Sequence, residues 1–227
     1  MLKLLRNNSI FLGLSLVFIL ALGLALLYIP KGDLHLLLCD RHTSARDIFY
    51  RYYTHVAEWF PYVLCVFLLL FSRIGDGVLA SAGLALSALT TQLFKHIINA
   101  PRPVNWFSQH FPDLQLPLVA DVKMNMWYSF PSGHTTSFFA LFFALSIILT
   151  QRMNKPLGGI IQVLCFLFAF VGGYSRIYLS QHFAADVLGG TVVGILITLV
   201  CYAVLCRYED KKWYNYRVIT IQKKGDR

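Results

Sequence analysis

Six apolar stretches constrain this chain more than any other feature of it. Residues 10–29, 156–175 and 187–206 are each 20 residues long and carry no charge. At about 1.5 Å per residue, a helix of that length covers the roughly 30 Å of a hydrocarbon layer. Residues 77–94 and 135–151 are slightly shorter, and each has a polar cluster at one end. Residues 54–72 form the weakest span, because Glu58 interrupts it and its apolar run gathers only near Trp59. Backbone polar groups in lipid must be bonded within their own segment, so such stretches are helical. With 57% hydrophobic residues in 227, the chain reads as all-α: a polytopic membrane protein with six transmembrane helices.

The first span follows Lys3 and Arg6, as the core of a signal peptide would. It is longer than a signal core and ends in Tyr28, Ile29, Pro30 and Lys31 rather than in small residues, so an uncleaved helix is expected. Counting Lys and Arg by loop sets the orientation. An inside N-terminus puts 12 of the 20 cations in the cytoplasm, seven of them in residues 207–227. The outer side then holds Lys31, Arg41, Arg46, Arg51, Lys95, Arg102, Lys123 and Arg176. The net charge of +9 is thereby read as a basic cytoplasmic tail against an anionic leaflet. No soluble basic module is present, and nucleic acid is not an expected partner. The five cysteines show neither CxxC nor metal-ligand spacing, and no disulfide framework is expected.

The loops are unequal. The connections near 73–76 and 151–155 are tight turns, whereas residues 31–53 and 99–130 are long outer segments. The first of these reads either as an interfacial amphipathic helix or as a connecting loop with aromatic belt residues. The second carries four of the eight prolines and reads as an ordered, mostly irregular cap. Glycine pairs at 158–159, 172–173 and 189–190 suit close helix approach.

Three polar clusters fall on the outer side once the spans are laid down by hydropathy. In the first, Lys95 precedes Arg102 and Pro103. The second is Pro131, Ser132, Gly133 and His134, where a serine cap and a glycine open a helix whose N–H groups and dipole favour an anion. In the third, Ser175 and Arg176 precede His182 and Asp186, which share one helix face. A carboxylate there can fix one imidazole nitrogen and leave the other free to attack. Each cluster alone also has a structural explanation, as a helix start, a dipole-stabilised carboxylate or a snorkelling cation. Together they bring three cations to one face, as charge developing on a transferring phosphoryl group requires.

Lys-x6-Arg-Pro, Pro-Ser-Gly-His and Ser-Arg-x5-His-x3-Asp, in that order, resemble the type 2 phosphatidic acid phosphatase family of membrane lipid phosphatases. That family shares its helical core with vanadium haloperoxidases and bacterial acid phosphatases. The resemblance covers residues 77–206, the expected catalytic core; residues 1–76, with two helices and an outer loop, fit it only by topology, and residues 207–227 are the basic tail. It implies that His182 is the nucleophile, forming a phosphohistidine, with Asp186 orienting it. His134 becomes the general acid and then the base that activates water. Lys95, Arg102 and Arg176, with Ser132 and the Gly133 amide, bind the phosphoryl oxygens. No metal or other cofactor is called for.

The expected function is a phosphatase at the outer face of a bacterial plasma membrane, with both termini cytoplasmic. Its expected partners are the bilayer and a lipid substrate: phosphatidic acid, phosphatidylglycerol phosphate, a lipid A phosphate or undecaprenyl diphosphate. The alternatives are a phosphotransferase using the same phosphohistidine and a non-catalytic lipid-binding or transport protein. His96 and His110 read as ordinary interfacial residues, and Asn99, Trp106, Lys123 and Trp127 have no assigned role.

Overall fold

The computed structural model describes residues 2–40 and 42–219. Arg41, counted above among the outer cations, and Lys223, Lys224 and Arg227 of the tail lie outside the described residues. All regular structure among the described residues is helical: α1 (Leu2–Asn7), α2 (Ser9–Tyr28), α3 (Lys31–Cys39), α4 (Ser44–Phe71), α5 (Ile74–Ile98) and α6 (Pro103–His110) come first. The second half holds α7 (Gly133–Thr150), α8 (Lys155–Tyr178), α9 (Ala184–Leu205) and the short α10 (Lys212–Asn215). Among the described residues, six helices are long and apolar enough to cross a membrane, as the hydropathy reading requires.

The bundle is built around α7. Twelve of its 18 side chains are buried, because α5, α8, α9 and α4 all pack on it. The outermost span is α2, apolar on every side, which buries only Phe11, Ser15 and Leu22. That pattern suits a helix facing lipid on most of its circumference. Its inward stripe is aromatic: Phe11 stacks on Phe143 at 4.9 Å and Phe18 meets Phe170 edge-on at 5.2 Å. Lipid gives no hydrophobic drive between helices, so close packing must supply the cohesion. The α7–α9 contact shows how. A β-carbon at Gly190 would stand 2.7 Å from the Ser132 carbonyl oxygen, and one at Gly194 2.6 Å from that of Thr136. Main chain thus lies against main chain along this interface.

Two segments differ from the sequence reading. Residues 44–53 are neither a loop nor a separate interfacial helix; they are the first turns of α4, which enters the span without a break. Thr43 caps it by accepting the Arg46 N–H. Tyr50 and Tyr53 turn inward, Tyr50 against Tyr178 and Tyr53 stacked on Phe138. The tail also folds back: Tyr214 is buried against Gly75, and the Ile74 N–H donates to the Tyr216 carbonyl. Near it, at the end of the bundle remote from the three clusters, buried Asp76 accepts from Ser72, Arg73 and Arg152. This ties the α4–α5 turn to the α7–α8 turn.

Candidate active site

All three clusters meet at one end of the bundle, where α5 and α8 finish and α7 and α9 begin. The link between α8 and α9 is a tight reversal. The Arg176 carbonyl accepts the N–H groups of both Gln181 and His182, and Ser180 adopts a left-handed φ of 51°. His182 is thereby turned inward and is 1% exposed. Its Nδ1 faces Asp186 Oδ2 at 3.4 Å, while the same carboxylate oxygen accepts the Phe183 N–H at 2.8 Å and the Ser129 hydroxyl. A carboxylate so engaged fixes Nδ1 as the protonated nitrogen and leaves Nε2 with its lone pair. Burial first, and then the charges of Arg102, Arg176 and Lys95, hold the His182 pKa well below the usual imidazole range. The ring is therefore held in its neutral form at neutral pH.

The cations come from three elements. Arg102 lies in extended backbone between prolines, and its N–H donates to the Met126 carbonyl while the Ser129 N–H donates to that of Ala100. The cap segment is so fastened across the site end. The Arg102 guanidinium donates to the Trp127 carbonyl and to Gln181 Oε1, at 3.0 and 3.1 Å. Arg176 donates to the same Oε1 at 3.3 Å and to the Thr54 hydroxyl of α4. Its buried Nε has no hydrogen-bond partner among the described residues. Lys95, at the last turn of α5, is close enough to interact with Arg102, Arg176 and Asp186. One neutral amide, Gln181, thus braces two guanidiniums that no carboxylate among the described residues pairs directly. Such a group of cations suits an anion as its missing partner.

Ser132 is fully buried as the cap of α7. Its hydroxyl oxygen accepts the Thr135 N–H and the Thr135 hydroxyl, and its own N–H donates to the Asp186 carbonyl. The serine therefore locks the start of α7 to the start of α9, with only its hydroxyl proton left to donate. The Gly133 and His134 amides precede the first intrahelical bonds and stand at the positive end of the dipole. His134 directs Nε2 toward Glu58 Oε1 on α4, 3.3 Å away.

The structure brings all eight sequence-predicted residues to this end of the bundle. It adds partners that spacing did not indicate: Ser129, Gln181, Thr54 and Glu58. Only Glu58 carried a signal in the sequence, as a lone carboxylate in an apolar span. Residues without an assigned role fall into place as supports. Asn99 ends α5 in a left-handed cap, and the carbonyls of Trp127 and Lys123 hold Arg102 and Gln181. His110 stacks on Trp106, and His96 meets Tyr128 edge-on. Behind His182, α3 lies across the site end, with His35 buried against Ser180 and Lys31 3.9 Å over the Phe183 ring.

An apolar cavity of about 390 Å³ opens on the flank between α4, α5 and α7. Ala57, next to Glu58, and Ser137, one turn below His134, belong to its wall. A larger cavity of about 620 Å³ lies at the opposite end, near Arg6 and Gln162, and shares no residue with the site.

The family model of the PAP2 superfamily matches residues 76–209, more than half of the chain and all three clusters. The chain belongs to the PAP2 superfamily. It is 32% identical over 134 residues to the undecaprenyl-diphosphatase BcrC of Bacillus subtilis (strain 168), covering 59% of this chain and 56% of that one. To the phosphatidylglycerophosphatase B of the same organism it is 30% identical over 97 residues, covering 40% and 44%. The chain spans about half the length of the named relatives it matches. Two crystal structures of PAP2-type fold superpose on it. Aquifex aeolicus LpxE gives a TM-score of 0.61 at 24% identity, over 75% of this chain and 93% of its own. The transmembrane PAP2 type phosphatidylglycerolphosphate phosphatase of Bacillus subtilis gives 0.63 at 20%, over 92% and 100%. These likenesses speak for the fold, a six-helix PAP2 membrane bundle.

Proposed function

We propose that the protein is a metal-independent membrane lipid phosphatase working through a phosphohistidine. The observation that carries this reading is His182: neutral, buried, fixed through Nδ1 by Asp186, and set among three cations. Nε2 of His182 attacks phosphorus and forms the P–N bond. The bond to the leaving oxygen breaks, and that oxygen takes a proton from His134. Water then gives a proton to His134 and attacks phosphorus, and the P–N electron pair returns to Nε2. Lys95, Arg102 and Arg176, with the Gly133 amide and the Ser132 hydroxyl, neutralise the equatorial oxygens through both steps. The same cations oppose a divalent metal between the two histidines.

The flank cavity beside His134 suits the apolar chain of a lipid whose phosphate sits among the cations. Relatives named for undecaprenyl diphosphate and phosphatidylglycerophosphate support a lipid carrying a terminal phosphate. On this reading the site end faces outward from a bacterial plasma membrane, and residues 77–206 form the catalytic core. The test is phosphate release by the purified protein from phosphatidic acid, phosphatidylglycerol phosphate, undecaprenyl diphosphate and a lipid A phosphate. Release from at least one of them persists in EDTA, and His182→Ala lowers it by about 1,000-fold or more. Full turnover by His182→Ala, or loss in EDTA reversed by zinc, would overturn the mechanism.

A further inference from the structure

We propose that Glu58 is a positioning residue for His134, forming a second carboxylate–imidazole pair alongside Asp186 and His182; this rests on the phosphatase reading above. Glu58 lies near the middle of α4, a helix whose neighbouring side chains Trp59, Tyr62 and Val63 are exposed as lipid-facing residues are. A carboxylate at that position is costly unless something holds it. His55, one turn earlier, meets Oε2 at 3.0 Å and would suffice as a surface partner. The other oxygen instead crosses to α7 and meets His134 Nε2. Arg176 is also near enough to interact with the carboxylate, so Glu58 belongs electrically to the site.

The two pairs are alike in length, 3.4 Å for His182–Asp186 and 3.3 Å for His134–Glu58, but they use opposite ring nitrogens. Asp186 holds Nδ1 and frees Nε2 of its histidine. Glu58 holds Nε2 and so leaves Nδ1 of His134 as the atom that gives its proton to the leaving oxygen. Glu58 takes no proton itself; it keeps the ring oriented and balances the imidazolium before transfer, in a pocket whose other charges repel that cation. A carboxylate at this point is of most use when the leaving oxygen is a poor one, such as a lipid alkoxide. Glu58 precedes the segment matched by the family model, which therefore assigns it nothing.

The experiment compares Glu58→Gln, Glu58→Asp and His134→Ala with the parent protein on two substrates. One is phosphatidic acid, with an alkoxide leaving group; the other is 4-nitrophenyl phosphate, whose leaving group needs little protonation. Glu58→Gln lowers kcat on phosphatidic acid about 10- to 100-fold with KM nearly unchanged, and lowers it less than about threefold on the aryl phosphate. Glu58→Asp restores part of the lost rate, and His134→Ala shows the same substrate bias more strongly. Equal losses on both substrates, a change confined to KM, or parent activity in Glu58→Gln would overturn the proposal while leaving the phosphatase reading intact. Retained turnover in His182→Ala would instead remove that reading.

Discussion

His182 is held neutral by burial and by neighbouring cations, and that has a thermodynamic cost which pH reveals. In the unfolded chain it takes up a proton near pH 6.5; in the fold it does so only at much lower pH. The unfolded state therefore binds more protons below about pH 6.5, and stability falls as the pH falls through that value. His35, a buried residue of α3 whose pKa is lowered to about 4 by burial, acts in the same direction down to that pH. We expect the thermal midpoint in detergent to drop steadily between about pH 6.5 and 4.5. His35→Gln should flatten part of that drop, and a midpoint independent of pH would contradict the account. Residue by residue, the clusters were legible because they sit close together in the chain: His182 and Asp186 are four apart, Ser132 and His134 two. Their partners were not. Gln181 is next to His182, yet its task of bracing two guanidiniums depends on Arg102, 79 positions away. Thr54 and Glu58 reach the site from a helix outside the motifs altogether.

At the level of elements, the glycines of α9 and α8 are not equivalent. Gly190 and Gly194 face backbone atoms of α7 that cannot step aside, whereas a β-carbon at Gly158 would only touch the Thr150 side chain at 3.8 Å. Gly190→Ala or Gly194→Ala should each destabilise the bundle by about 1–3 kcal/mol, the usual cost of overpacking. Gly158→Ala should leave the thermal midpoint where it is or raise it slightly. Equal midpoints for the three variants would show that the α7–α9 contact is looser than described. Sequence gave the glycine pairs a common packing role, because spacing alone does not tell which face meets another backbone. The start of α4 was hidden for a related reason. Its first turns are polar and aromatic while the rest is apolar, so hydropathy divides a helix that the Tyr50 and Tyr53 contacts keep whole.

For the whole molecule, the orientation proposed above, with six crossings, puts the start of α1 and the end of α10 on one side and the site end on the other. Reporter fusions at the N-terminus and the C-terminus should both report the cytoplasm, and an insertion among residues 112–116 the outside. Opposite reports from the two termini would rule out six crossings. The span count was legible because a hydrocarbon layer leaves so few choices of structure. The arrangement of those spans around α7 was not, since lipid-facing and buried apolar residues look alike in composition. One consequence follows from the α7–α9 contact. The two helices that begin beside His134 and His182 are spaced by main chain on main chain, a gauge that no change of rotamer can reset. A thinner or thicker bilayer can tilt α2, which touches its neighbours along a single stripe. On the proposed mechanism, the distance across which a phosphoryl group is handed from leaving oxygen to imidazole then stays the same.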